Sequence, residues 1–116
     1  MSKFNSQYKN LNSVICLMGP TAAGKTELAI QLKQLFFTKY KIIVDLISVD
    51  STLIYKNLDI GSGKPSQLEL EQNPHALIDI IEPTESFSVA RFCQLATEKI
   101  NNSIAQNHVP LLVGGT

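Results

Sequence analysis

The stretch Gly19-Pro20-Thr21-Ala22-Ala23-Gly24-Lys25-Thr26 constrains this chain more than any other, because it meets the phosphate-loop pattern G-x-x-x-x-G-K-[ST] at every defined position. Its flanks suit the pattern too. Val14-Ile15-Cys16-Leu17-Met18 before it is an apolar run of strand length, and Glu27 to Phe36 after it carries apolar residues at helical spacing. Two glycines let consecutive N–H groups curl toward one concavity, and the helix N-terminus behind them adds partial positive charge. Lys25 can then reach outer phosphate oxygens, and the Thr26 hydroxyl can ligate Mg²⁺. The competing reading is a chance match in an ordinary strand–turn–helix unit, and the combination of pattern and flanks weighs against it. Residues 19–26 point to a phosphorylated ligand, with Mg²⁺ as cofactor.

Taken in order, residues 1–13 form a polar, disordered lead-in, and residues 14–116 have room for one domain. The first helix is expected from about Lys25 to Phe37, with Thr38 to Lys41 as the way out. Ile42 to Val49 is apolar on both sides, as a parallel strand covered on two faces would be. Thr52 to Ala76 reads as a long loop in which Ser66 and Glu69 form a capping-box pattern. Leu77 to Ile81 is a further strand candidate. Ser88 is expected to cap a helix reaching about Gln106, whose apolar stripe of Val89, Phe92, Cys93, Ala96, Ile100 and Ile104 reads as core. Pro110 to Val113 is the fourth strand. The alternation predicts an α/β fold, a phosphate-loop-type parallel sheet with flanking helices, incomplete after that strand.

Composition narrows the partners. Ten basic and ten acidic residues cancel, and Arg91 is the only arginine, which argues against a strong nucleic-acid binder acting through charge alone. Cys16 and Cys93 fall in apolar patterns and are expected to be buried, reduced thiols. Neither a signal peptide nor a membrane span is legible, so a cytoplasmic protein with no membrane partner is expected; a monomer is expected as well.

Beyond the loop, Asp50 stands out because it ends a strand on the carboxyl edge of the sheet, where ligands of open α/β sheets bind. It could cap the next turn, lie behind Mg²⁺ or act chemically. Ser51 and Thr52 could cap the same turn. Tyr55 serves either loop packing or base stacking, and Lys64 either phosphate or solvent. Thr116, after two glycines, could donate to an anion. His75 and His108 lack metal-ligand spacing and read as loop residues.

Several of these residues stand in a telling order. Ile47-Ser48-Val49-Asp50-Ser51, Tyr55, Asp59-Ile60-Gly61, Lys64-Pro65, Pro74-His75, Leu77 to Ile80 and Leu111-Leu112-Val113-Gly114-Gly115-Thr116, together with the phosphate loop, resemble the N-terminal part of the tRNA dimethylallyltransferase (tRNA isopentenyltransferase) family. The resemblance implies transfer of a dimethylallyl group from dimethylallyl diphosphate to N6 of the adenosine 3′ of the anticodon. It implies Asp50 as general base, Gly19 to Thr26 as diphosphate cradle with Lys25 catalytic, Asp50, Ser51, Thr52 and Leu53 as a tRNA-contacting segment, and Thr116 near diphosphate and base. The partners would be dimethylallyl diphosphate and the tRNA anticodon stem-loop. Ala23 departs from a common serine and Ala76 from a common basic or histidine residue. Family members run on past Gly-Gly-Thr into a helical tRNA-binding insertion, so this chain is expected to be a fragment that does not transfer the prenyl group by itself.

Two other readings stay open at this stage. A small-molecule kinase using ATP would place Asp50 against a substrate hydroxyl, but such enzymes need several arginines, and only Arg91 is present. A non-catalytic nucleotide- or diphosphate-binding remnant would keep the loop and lose the chemistry.

Overall fold

The computed structural model describes residues 13–19, 24–50, 66–78 and 88–114. Along the chain run β1 (Ile15–Met18), α1 (Lys25–Tyr40), β2 (Val44–Ser48), α2 (Gln67–Gln72), β3 (His75–Ala76), α3 (Val89–Ala105) and β4 (Val109–Gly114). The four strands form one parallel sheet in the order β1-β4-β2-β3. The fold class is as expected.

The chain crosses from β1 over to β2 and later returns to β4 between them. Right-handed crossovers in opposite directions put α1 on one face of the sheet and α3 on the other. On the α1 side, Ala29 seats against Val44, Leu46, Val109, Leu111 and Val113, with Ile15, Leu17, Leu32 and Phe36 around them. That double coverage is why β2 and β4 are apolar on both sides.

Pro110 sits within the central strand yet breaks no ladder bond. Residues 109, 111 and 113 face β2, and 110, 112 and 114 face β1, as the bonds Val109 N–H to Ile43 O and Gly19 N–H to Gly114 O show. The register of β1 begins only opposite Leu111, so the missing N–H of Pro110 points where no strand lies.

The helix boundaries differ in detail from expectation. α1 continues through Thr38, whose Oγ1 bonds back to Gln34 O at 2.9 Å, to Tyr40, whose ring meets that of Phe36 one turn earlier. Lys41 then turns left-handed at φ 58° and closes the helix, its N–H on Phe37 O. α2 carries the expected capping box: Glu69 N–H donates to Ser66 Oγ, and Ser66 N–H to Glu69 Oε1. Ser88 caps α3 through the Arg91 N–H, and Asn107, at φ 61°, ends it in a Schellman pattern with His108 N–H on Ser103 O.

Three expectations are corrected. The strand foreseen at Leu77 to Ile81 is replaced by pairing of His75 and Ala76, because Leu77 adopts φ 68° and enters the core from a turn; residues 79–81 lie outside the described part. The α3 stripe is buried only in part. Val89 and Cys93 are exposed, since α3 packs on β4 and β2 and leaves its first turns uncovered, while Ser103 is buried. Cys16 is exposed as well, because it shares with Val14 and Met18 the face of edge strand β1 that α1 does not cover.

Candidate functional site

The carboxyl ends of three neighbouring strands build the site. Gly19, immediately after β1, donates its N–H to Gly114 O of β4 at 3.2 Å. Val49, just after β2, donates to Val113 O at 2.9 Å. These two bonds extend the sheet by one residue on either side of β4, and so bring Gly19, Gly114 and Asp50 to one edge.

Gly114 makes the close approach workable. A Cβ placed on it would lie 2.7 Å from Val49 Cγ2 and 2.8 Å from Met18 Cε, so no side chain fits between the flanking strands. Gly24 is required for a different reason. It precedes α1 at φ 72°, with no atom within 4 Å of a would-be Cβ, so backbone handedness and not space demands glycine there. That left-handed turn leads the chain into α1, whose first-turn N–H groups have no acceptor within the helix itself.

Lys25 opens α1, and its Nζ donates to Gly19 O at 2.6 Å, bridging the two ends of the loop. Thr26 follows it, half-buried in the first helical turn. Asp50 is half-buried, with its N–H on Ser48 Oγ at 3.4 Å. The structure thus brings Gly19, Gly24, Lys25, Thr26 and Asp50 to one end of the sheet. Pro20, Thr21, Ala22, Ala23, Ser51, Thr52, Leu53, Tyr55, Lys64 and Thr116 lie outside the described residues.

The two histidines are placed differently: His75 stands in a strand and not in a loop, whereas His108 lies in the connection between α3 and β4, as expected. His75 is paired in β3; its Nδ1 meets Asn73 O at 2.9 Å, and burial pushes its pKa below the usual 6.5. His108 Nδ1 lies 2.8 Å from Asp45 Oδ2, across 63 residues of sequence. No spacing rule signals that pair, which exists because β2 and β4 are neighbours. Gly114 was legible only as part of a turn; its role as a spacer comes from the packing. Among the described residues, no three His, Cys, Asp or Glu side chains gather as a metal site, and no helix is long and apolar enough to cross a membrane.

A family model described as IPP transferase matches residues 53–116, more than half of the chain. Among solved structures, the chain is similar to a tRNA isopentenylpyrophosphate transferase from Bacillus halodurans, with 40% identity over 90% of this chain and a TM-score of 0.75. It is similar to a tRNA delta(2)-isopentenylpyrophosphate transferase from Staphylococcus epidermidis, with 39% identity over 89% of this chain and a TM-score of 0.74. A eukaryotic dimethylallyltransferase acting on tRNA matches at 26% identity over 88% of the chain, with a TM-score of 0.72. This chain spans 33%, 32% and 24% of those three chains, respectively. With the sheet in agreement with these matches, the chain belongs to the IPP transferase family.

Proposed function

We propose that this chain supplies the diphosphate-binding part of an enzyme that transfers a dimethylallyl group from dimethylallyl diphosphate to N6 of the adenosine 3′ of the anticodon in tRNA. The observation that carries the reading is the convergence of Gly19, Lys25, Gly114 and Asp50 on one sheet edge in a chain of this family. In the reaction the N6–C1 bond forms, the C1–O bond to diphosphate breaks, and the amine gives up a proton. Asp50 is the acceptor for that proton, at the end of β2. Loop amides, the first turn of α1 and Lys25 hold the departing diphosphate, released from its present bond to Gly19 O. The segment Asp50 to Leu53 meets the tRNA, and Thr116 lies near both substrates.

Mg²⁺ suits the donors available. Thr26 offers one hard oxygen in the first turn of α1, and an ion held there would take further oxygens from diphosphate and water. When bound, the ion would neutralise charge on the leaving diphosphate. A tRNA substrate fits a cytoplasmic location.

The test is a chimaera in which this chain replaces the corresponding third of the Bacillus halodurans relative, assayed with dimethylallyl diphosphate and anticodon stem-loop RNA. Asp50→Asn should lower kcat by about 10²–10⁴-fold, the usual contribution of a positioned base, with the affinity for dimethylallyl diphosphate little changed. A chimaera indifferent to that substitution would sink the assignment.

A further inference from the structure

At the far end of the sheet from the phosphate loop, β3 pairs only with Leu46 and Ile47, so the edge of β2 at Val44 and Asp45 is left without a neighbouring strand. The notch this leaves is a cavity of about 400 Å³, within the size range of small-molecule sites. Lys33 of α1 forms one wall, the last turns of α3 supply Lys99, Asn102 and Ser103 with Gln106 just past its end, and the apolar backing comes from β2 and from Pro74. Lys33 lies eight residues beyond Lys25, about 12 Å along the helix, so this is a separate place from the loop.

The charges are unequal. Asp45, the acid in the wall, is engaged by His108 Nδ1 at 2.8 Å. Among the described residues, no ion pair engages Lys33 or Lys99. Ser103 adds the second, independent sign. It is 2% exposed, and its Oγ has no hydrogen-bond partner. Helical hydroxyls usually bond back to a carbonyl of the preceding turn, as Thr38 does to Gln34 O and Thr97 to Cys93 O. Ser103 does not, and a buried hydroxyl left unpaired is costly unless something in the cavity accepts its proton.

We propose that this notch binds a small organic anion, its carboxylate or phosphate head accepting from Ser103 Oγ and neutralised by Lys33 and Lys99, its apolar body against β2 and Pro74. Amide chemical shifts of the isotope-labelled full chain, with the phosphate loop first saturated by inorganic diphosphate, test it. Hexanoate and inorganic phosphate are titrated separately. Either should give saturable shifts at Ser103 and Asn102; response to both shows that the head group suffices, and response to hexanoate alone shows that the apolar body is needed. Lys99→Gln, at an exposed position, should weaken binding at least five-fold. Ser103→Ala should do the same while melting no lower than the parent chain, because it removes an unpaired hydroxyl. Absence of any shift from either anion, meaning that solvent alone fills the notch, would overturn the proposal. So would shifts undiminished in both variants.

Discussion

Lys25 Nζ donates to the carbonyl oxygen of Gly19 at 2.6 Å, so the cation of the phosphate loop is held by the loop's own first residue. A diphosphate entering the loop offers a charged acceptor in place of a neutral one, and charge-assisted hydrogen bonds are the stronger kind. Lys25→Ala should therefore weaken inorganic diphosphate and dimethylallyl diphosphate alike, by about 1.5–3 kcal/mol, or roughly 10- to 150-fold. Calorimetric titration with and without Mg²⁺ measures this. Equal affinities for the two proteins would refute it.

Gly114 and Gly24 should respond to alanine for opposite reasons. At Gly114 the new methyl meets Val49 Cγ2 at 2.7 Å and Met18 Cε at 2.8 Å; the methionine can swing aside, but the stiff valine cannot. Overpacking of this kind costs about 1–3 kcal/mol. Combining Gly114→Ala with Val49→Ala should recover part of the loss in denaturant melts, the mark of a coupled pair. At Gly24 there is room but a φ of 72°. Alanine there should cost about 1–2 kcal/mol, and Gly24→Asn, which tolerates the left-handed region, should cost less. Rescue of Gly24→Ala by trimming a neighbour would contradict this account.

Both cysteines should react quickly with a mild thiol reagent in the folded chain. Cys16 and Cys93 are free and exposed, on the uncovered face of β1 and an early turn of α3. Two equivalents consumed before denaturant is added is the expected result. Thiols that label only after unfolding would show that these surfaces are covered.

His75 should make the fold sensitive to mild acid. Burial lowers its pKa in the folded chain, with a smaller contribution from Lys33, outweighing the Asn73 carbonyl and Glu69. Below the unfolded value of 6.5 the unfolded chain takes up a proton that the folded chain resists. The stabilising contribution is therefore complete above that pH and is lost as the pH falls through the depressed folded value. Thermal midpoints across this window should fall more steeply for the parent than for His75→Gln. Parallel curves would rule the histidine out.

Much was legible in the residues alone because it depends on neighbours in the chain. The phosphate-loop pattern locates Gly24, Lys25 and Thr26 at a strand-to-helix turn, and the capping box at Ser66 and the cap at Ser88 are local hydrogen bonds read correctly from spacing. Asp50 lies just past the end of β2, where the apolar run from Ile42 to Val49 stops. Family membership follows from the same ordered motifs.

What depends on sheet order was out of reach. Apolar pattern marks Cys16 and the Val89–Cys93 stretch as core, but burial requires a covering element, and β1 lies at the edge with α3 over β4 and β2. The His108–Asp45 pair, the unpaired hydroxyl of Ser103 and the lack of room at Gly114 likewise arise only once β4 is inserted between β1 and β2. Sequence spacing determines which local elements form. Contacts between residues far apart in the chain decide which of their faces are closed, because burial is a property of the neighbour and not of the residue.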